Sequence, residues 1–579
     1  MKYPKLRVLQ NSRQMVDTFK GYNHNLRIGD GEFFDMKNMT SDHYPVLSPR
    51  GKRGLYASPN NPNGLIAKDA LCYVDGSKFV INEYPVEMKL NDEPKQLISM
   101  GAYVIIMPDK KWINTLNTTQ FGNIEAIWES TSDVTFTLCT ISGDAYEGAV
   151  ASATEPKEPK NMQMWIDTSS TPHILKQYSE TSAAWVSIAS TYIKIAATGI
   201  GKSFEQYDGV TISGVTAAGL QDLNATMVIW DRGDDYIVVV GILDEVITQT
   251  VEEGVVTVSR TMPLMDYITE SDNRLWGCRY GLAANGEVVN EVYACKLGDF
   301  KNWNCFMGLS TDSYVVGVGS DGPFTGAVTH LGYPLFFKEN CVHKVYGKYP
   351  ANFQIQDTAC RGVQKDCEKS LAIVNSTLFY KSRSGVCAYD GSLPTEVSYA
   401  MANEAYSEAV GGSNGNKYYI SMKDVLGKSH LFVYDTAKGM WHKEDDLQVD
   451  YFCSCDGEMY AISEGKIITM LGSGMKDSSP VEWMAETGEI GISSPDMKYI
   501  SRITIRMSMD IGTEVHIFAQ YDYSDEWEDV CTLNGMNLRS FSIPIRPKRC
   551  DYMKLRIEGE GMARIYSITK TIEQGSDIS

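Results

Sequence analysis

The sequence predicts an all-β protein, and three observations lead to that prediction. Few windows place apolar residues at helical spacing over three turns, whereas short apolar runs recur and each closes on a Gly, Asp or Asn turn. Glycine is abundant, with 49 residues, and Tyr outnumbers Phe by 33 to 18. Frequent turns and many half-exposed aromatic positions favour antiparallel sheets over helical bundles.

An aromatic strand that follows a turn residue recurs through the second half of the chain. After a first step of about 60 residues, the repeat interval is close to 40 residues, which is typical of the blades of a β-propeller. Two earlier hairpins predict N-terminal blades. The recurring segments are NRLWG (273–277), YPLFF (333–337), NSTLFY (375–380), NKYYI (416–420) and GEMYA (457–461), and the hairpins are LCYVDGSKFVIN (71–82) and GAYVIIMPDKKW (101–112).

Breaks in this pattern predict four domains within the 579 residues. Residues 1–127 hold an N-terminal segment and the first blades, and 128–262 form a small inserted β domain that contains the Pro-rich linker TEPKEPK. Residues 263–478 hold the remaining blades. Residues 479–579 alternate apolar and polar side chains at period two, which predicts a C-terminal β-sandwich.

The charge and the apolar runs limit the partners of the chain. A formal net charge of −20 argues against wrapping nucleic acid, because phosphate binding depends on Lys and Arg. It suits a surface that DNA slides past, and it equally suits an ordinary soluble protein. The N-terminal MKYPKLRVLQ lacks the apolar core of a signal peptide, and no run approaches the ~20 residues of a membrane span. We therefore expect cytoplasmic folding, no membrane span and 13 mostly buried cysteines.

The chemistry-bearing motifs are weak. Gly201-Lys202-Ser203 resembles the end of a phosphate loop, but Ala196 stands where that loop needs a glycine. Three acidic residues of the YDYSDEWED segment, Asp522, Asp525 and Glu528, have the oxygens for a Ca²⁺ ion, although a solvated loop is the preferred interpretation. No carboxylate pair for glycan cleavage is indicated. We expect no catalytic residue, no metal, no cofactor and no enzymatic activity.

The N-terminal segment TFKGYNHNLRIGDGEFFDMKNMTSDHYPVLSPRGKRG (18–54) carries the most specific pattern. It resembles the opening of podovirus tail-nozzle and packaged-DNA stabilisation proteins, although Tyr22 stands where those proteins carry Leu. The resemblance implies a structural rather than a chemical role for the matched residues. They are Phe19, Gly21, Asn23, Ile28, Gly31, Glu32, Asp35, Asn38, Met39, Leu47, Arg50 and Gly54.

The resemblance implies a structural component of a bacteriophage virion tail, assembled in the host bacterial cytoplasm. A homo-oligomeric ring of such nozzle or hub subunits would retain packaged genomic DNA and let it pass without specific binding during ejection. Its implied partners are other virion proteins, namely the portal, the adaptor and tail fibres. The alternative function is a receptor-binding tail protein that recognises host cell-wall glycan, with the 128–262 insert and exposed Trp or Tyr residues making the contact.

Overall fold

The structure, a computed structural model, describes residues 12–146, 148–473, 475–476, 479–492, 497–522, 524–535 and 537–574. These residues contain strands and short 3-10 helices but no α-helix, so the all-β prediction is confirmed. The MKYPKLRVLQ segment and the predicted domain boundary after residue 478 lie outside the described residues. The chain forms two compact units. Unit 1 is Met1–Lys95, Phe337–Val342 and Thr358–Ser579, and unit 2 is Gln96–Phe336 and His343–Asp357.

Seven groups of adjacent strands in the described part of the chain are the propeller blades: five are separate four-stranded sheets, the sixth is four strands of a ten-stranded sheet, and the seventh belongs to a five-stranded sheet. We number them in chain order. Blades 1 to 3 are Pro62–Lys68, Ala70–Asp75, Lys78–Ile81, Tyr84–Lys89; Gln96–Met100, Tyr103–Met107, Lys111–Asn114, Phe121–Asn123; and Tyr267–Ser271, Arg274–Leu282, Val288–Ala294, Tyr314–Gly317. Blades 4 to 6 are Gly326–His330, Tyr333–Lys338, Cys341–Tyr346, Gln354–Ala359; Ala372–Val374, Thr377–Ser382, Gly385–Tyr389, Thr395–Glu396; and Tyr406–Ser413, Lys417–Asp424, Ser429–Asp435, Met440–Lys443.

Blade 7 takes one of its strands from the other end of the chain. Its own strands are Tyr451–Cys455, Glu458–Ser463 and Lys466–Thr469. The last of these pairs with Gly54–Ala57, so that Ile468 faces Leu55 across the ladder. The short strand Met475–Lys476 pairs with the outer side of the same N-terminal strand. The N-terminal segment thereby covers an edge that would otherwise be open.

The five aromatic segments of the repeat are the second strands of blades 3 to 7. A blade that packs between two neighbours is buried on both faces, so its inner strands read as nearly continuous apolar runs. The strand Tyr333–Lys338 is buried at every position except its first. Within unit 1, Leu65 and Tyr73 of blade 1 pack against Ile462 and Ile467 of blade 7. The prediction of a propeller body is confirmed.

The insert between blades 2 and 3 contains two larger sheets around one core. Phe136 and Ile237 of one sheet pack in the same cluster as Ile212 and Val258 of the other. A third sheet, of four strands, brings Trp165 to 5.3 Å from Trp185, measured between ring centroids. The strands are Ala126–Glu129, Thr257–Arg260, Gly209–Ser213, Thr226–Val228; Asp231–Gly233, Tyr236–Val240, Tyr192–Ala196, Val134–Cys139, Ile247–Gln249; and Val150–Ser152, Met164–Asp167, Ile174–Ser179, Ala184–Ser187.

The C-terminal strands form the predicted sandwich, and buried positions alternate with half-buried ones over most of Glu514–Tyr521 and Met553–Glu560. One sheet contains Ser12–Val16, Ala563–Gln574, Lys498–Met509, Arg539–Ile543 and Arg549–Cys550. The other contains Gly21–Tyr22, Glu32–Lys37, Glu482–Thr487, Met553–Glu560, Glu514–Tyr521 and Glu528–Leu533. This second sheet continues into blade 6, so that ten strands form one hydrogen-bonded sheet.

The remaining short elements are a two-stranded ladder and six 3-10 helices within the described residues. The ladder joins Met39–Thr40 to Ser48–Pro49. The 3-10 helices are Ile200–Ser203, Gln221–Leu223, Val251–Glu253, Pro350–Asn352, Glu368–Ser370 and Tyr399–Met401.

Candidate functional site

The N-terminal motif lies at the junction between blade 6 and the sandwich. Tyr22 pairs with Trp441, which lies in the last strand of blade 6. The strand Glu32–Lys37 lies parallel to Gly21–Tyr22 on one side and pairs with Glu482–Thr487 of the sandwich on the other. The motif therefore supplies the two strands that make the ten-stranded sheet continuous.

Gly21 is required by the backbone at this junction. Its φ is +85°, a left-handed conformation that side chains rarely adopt, and an added Cβ would overlap the carbonyl oxygen of Trp441. Gly31 has a φ of +89° and lies equally close to the carbonyl of Thr18. Both glycines let two backbones approach where no side chain fits.

A largely buried ion cluster fixes the second half of the motif. Arg53 donates to Glu444 Oε2 at 2.7 Å and to Asp445 Oδ2 at 2.6 Å, and Arg50 reaches Asp445 Oδ2 at 3.2 Å. Arg50 Nε also donates to Asn38 Oδ1 at 2.8 Å. Burial opposes ionisation of Asp445, but the charges of Arg53 and Arg50 outweigh it and hold the pKa of Asp445 below its ordinary value.

The other motif residues hold the chain locally. Phe19 is buried, with its ring centroid 5.8 Å from that of Phe33. Asn23 Oδ1 accepts from Asn25 Nδ2 at 2.7 Å. Asp35 Oδ1 accepts from Lys443 Nζ at 3.1 Å.

Three motif residues lie at the ends of elements or at a turn. Glu32 Oε2 accepts from the backbone N–H of Gly29 at 2.6 Å. Asn38 Nδ2 donates to the carbonyl of Glu482 at 2.8 Å, and Gly54 begins the strand that completes blade 7. Nine of the twelve matched residues, namely Phe19, Gly21, Asn23, Gly31, Glu32, Asp35, Asn38, Arg50 and Gly54, thus have structural contacts that join or hold segments of the chain.

Unit 2 contains an open groove. Two adjoining cavities of about 520 Å³ and about 320 Å³ share Met227 and Val240 in their walls, and we call them together the insert groove. Ligand sites usually have volumes of about 300–1,000 Å³. The remaining lining includes the polar residues His173, Asp222, Asp244, Asn304 and Thr226 and the apolar residues Ile193, Leu220, Leu223, Trp230, Phe306 and Met307.

The two ends of the insert groove differ in chemistry. At one end His173 Nδ1 lies 3.9 Å from Asp244 Oδ2, and Asp222 lines the same cavity. At the other end the Phe306 side chain is 52% exposed beside Trp230. The groove therefore presents acidic and hydrogen-bonding groups next to an exposed aromatic surface.

The phosphate-loop-like segment and the acidic segment predicted from the sequence have local structural roles. Gly201-Lys202-Ser203 lies in a four-residue 3-10 helix, not at the start of an α-helix. Asp522 Oδ1 accepts the backbone N–H of Asp551 at 2.6 Å, and Glu528 pairs with Lys548. No group of three His, Cys, Asp or Glu side chains in the described residues is placed to hold a metal ion.

The thirteen cysteines are all free thiols in the structure. Among the described segments, none forms a helix with the length and hydropathy of a membrane span.

Comparison with known proteins gives similarities of structure only. No protein-family model and no curated protein matches the chain. An exo-β-1,3-galactanase from Phanerochaete chrysosporium is 8% identical, with 52% of this chain and 94% of that chain covered and a TM-score of 0.20. A GH43 glycoside hydrolase is 8% identical, with 54% and 97% covered and a TM-score of 0.19. A Trypanosoma rangeli sialidase is 8% identical, with 97% and 96% covered and a TM-score of 0.21.

The expectation of a protein without enzymatic activity is contradicted by this comparison: the matching structures are named as an exo-β-1,3-galactanase, a GH43 glycoside hydrolase and a sialidase. The expectation relied on the absence of short catalytic motifs. Catalytic groups on a propeller come from separate strands and loops, so they leave no such motif in the sequence.

Sequence reasoning missed three features. Arg53 was not recognised as the partner of Glu444, because 391 residues separate them and no local pattern links them. The insert groove was missed because its walls come from residues between 171 and 307. A hydrogen-bonded Ser320–His343–Asp357 chain was missed for the same reason.

We predict that Gly21→Ala destabilises unit 1 by about 3 kcal/mol or more, since it adds backbone strain and an overlap with a carbonyl. Gly427→Ala is the matched control, because Gly427 has a φ of +80° but nothing lies within 4 Å of its added Cβ. The control should cost only about 1–2 kcal/mol. Urea denaturation followed by tryptophan fluorescence measures both, and equal costs would contradict the steric role of Gly21.

We predict that Arg53→Ala lowers the free energy of unfolding by about 3–5 kcal/mol, because it leaves buried carboxylates short of a partner. Lys37→Ala is the control, since Lys37 and Glu482 form an ion pair at 3.0 Å whose side chains are 48% and 72% exposed. It should cost roughly 0–1 kcal/mol.

The effect of Arg53→Ala should also depend on pH. The pKa of Asp445 is lower in the folded chain than in the unfolded chain. Its stabilisation is therefore complete above the unfolded value, about pH 4, and is lost as the pH falls through the folded pKa. The difference between wild type and variant should shrink below about pH 4, and a constant difference down to pH 2 would argue against the ion cluster.

Proposed function

We propose that the protein is a structural subunit of a bacteriophage tail, a nozzle or hub component that forms a ring, retains packaged DNA and lets it pass during ejection. The observation that carries the proposal is where the residues of the N-terminal motif lie in the fold. The nine motif residues described above all lie in or beside the junction strands, the ion cluster or the N-terminal strand of blade 7. The segment that resembles nozzle proteins is thus the segment that holds unit 1 together.

The sheet arrangement within unit 1 suits a subunit that must bear mechanical load. A ten-stranded sheet that runs from blade 6 into the sandwich distributes load over many backbone hydrogen bonds. The chain contains 73 acidic and 53 basic residues. An acidic surface repels the phosphate backbone, so that DNA passes without being held by individual contacts.

Ring formation is tested first by native mass spectrometry and negative-stain microscopy of the purified protein. We expect a closed oligomer of identical subunits, alone or after addition of the portal and adaptor of the parent phage. Particles assembled in the absence of the protein should lose their DNA and become sensitive to added nuclease. Infectious, DNA-filled particles assembled without it would refute the proposal.

The insert groove favours a second candidate function, recognition of host cell-wall glycan. Sugar rings present apolar faces that pack on exposed aromatic side chains such as Phe306, and their hydroxyls pair with groups such as Asp222, Asp244 and Asn304. The groove lies largely in the insert, the domain expected from the sequence to make this contact. Glycan binding is compatible with a tail subunit and need not replace the first function.

We predict that the protein cosediments with purified cell walls of the host, and that Phe306→Ala and Asp244→Ala each weaken this binding about tenfold, about 1.4 kcal/mol. Leu393→Ala, which removes a 60% exposed side chain in unit 1, is the control and should bind as wild type does. Cosedimentation that is unchanged in both groove variants would remove the groove as the binding site.

A further inference from the structure

Three side chains of unit 2 form a hydrogen-bonded chain that neither the tail function nor the insert groove uses. Ser320 Oγ lies 2.8 Å from His343 Nε2. On the opposite side of the ring, His343 Nδ1 is hydrogen-bonded to the carboxylate of Asp357. The hydroxyl is thus on Nε2 and the carboxylate on Nδ1, the arrangement in which an imidazole activates a serine.

The fold holds this arrangement on separate elements. Ser320 lies in the loop between the last strand of blade 3 and the first strand of blade 4. His343 and Asp357 lie on neighbouring strands of blade 4, Cys341–Tyr346 and Gln354–Ala359. Two adjacent strands therefore set the distance between the His343 imidazole and the Asp357 carboxylate, and the loop positions the Ser320 hydroxyl.

The imidazole and the loop are both held in place. The His343 side chain is fully buried and its ring centroid lies 5.9 Å from that of Phe324 in an edge-on contact. Asn290 Nδ2 donates to the carbonyls of Val318 at 3.0 Å and Ser320 at 2.6 Å. A restrained loop and a restrained ring keep the Ser320–His343 geometry that proton transfer needs.

The serine lies where a small molecule can approach it. Ser320 is half-buried and its neighbours Gly319 and Asp321 are exposed. A Cβ added at Gly319 or at Gly322 would meet nothing within 4 Å, so there is open space on both sides of Ser320 in the chain. Asp357, with a side chain 52% exposed, is at the solvent end of the hydrogen-bonded chain.

We propose that Ser320, His343 and Asp357 form a hydrolytic site for carboxylic esters with a small acyl group. Ser320 Oγ forms a bond to the acyl carbon while His343 Nε2 takes its proton. The bond from that carbon to the alcohol oxygen breaks, and the alcohol leaves with the proton from His343. Water then attacks the acyl carbon and gives a proton to His343; the bond from Ser320 Oγ to the acyl carbon breaks, the acid is released, and His343 returns the proton to Ser320 Oγ. Asp357 holds the tautomer of His343 and stabilises its protonated form.

The test is covalent labelling of the full chain with a fluorophosphonate probe, together with hydrolysis of p-nitrophenyl acetate. The probe forms a bond from Ser320 Oγ to phosphorus and expels fluoride, so peptide mapping identifies the modified residue. Ser320→Ala should abolish the label, and Asp357→Asn should slow it by on the order of 10²-fold or more. Thr532→Ala is the control, since Thr532 forms an exposed pair with His516 Nδ1 at 3.1 Å and should not affect labelling.

The outcomes distinguish catalysis from a purely structural hydrogen-bonded chain. Labelling at Ser320 that depends on Asp357, with a matching loss of ester hydrolysis in both variants and unchanged thermal midpoints, supports the site. A Ser320→Ala protein that labels or hydrolyses as wild type does overturns it. Wild-type protein that is not labelled at Ser320, or variants that change only the thermal midpoint, also overturn it and assign the three residues to the stability of the fold.

Discussion

An edge of a β-sheet must be paired or covered, and in unit 1 the N-terminal segment meets this requirement twice. Gly54–Ala57 pairs with Lys466–Thr469 in blade 7, and Gly21–Tyr22 with Glu32–Lys37 lies between blade 6 and the sandwich. Ser12–Val16 pairs with the last long strand of the chain. The architecture of unit 1 therefore depends on contacts between residues 12–57 and residues beyond 430. Because loop closure over such separations is entropically costly, these pairings should form late in folding.

The charges of the ion cluster reinforce that closure. Arg50 and Arg53 follow the junction strands, and Glu444 and Asp445 follow the last strand of blade 6. A buried pair contributes little relative to an apolar replacement, but removing one partner is expensive. The cluster thereby penalises any register in which the N-terminal segment is displaced from blade 6. The ion cluster therefore contributes more to the correct placement of the N-terminal segment than to the free energy of unfolding.

The repeated strands of the blades could be predicted from the sequence, because each has a local pattern. Strand pairings and ion pairs between distant segments could not be predicted. The aromatic strands of blades 3 to 7 follow one another at an interval set by four strands and their turns, so Trp276 and Tyr380 were found in advance. The ladder between Leu55 and Ile468 leaves no trace in either segment alone. The same holds for the ion partners of Arg53. The Asp522 segment shows the opposite error: a pattern of acids suggested an ion, but Asp522 accepts two backbone N–H groups instead.

The N-terminal motif identifies how unit 1 is built, and its residues are occupied in doing so. Phe19, Gly21 and Asn38 make contacts with the chain itself, which leaves them unavailable to a ligand. Open space lies in unit 2, at the insert groove and beside Gly319 and Gly322, which are close to Ser320 in the chain. Rigidity requires hydrogen-bonded backbone groups and packed side chains, whereas binding requires accessible side chains. In this protein the two requirements are met by different parts of the chain. Contact with a substrate or receptor is therefore to be sought in the loops and the insert, and the mechanical role in the junction.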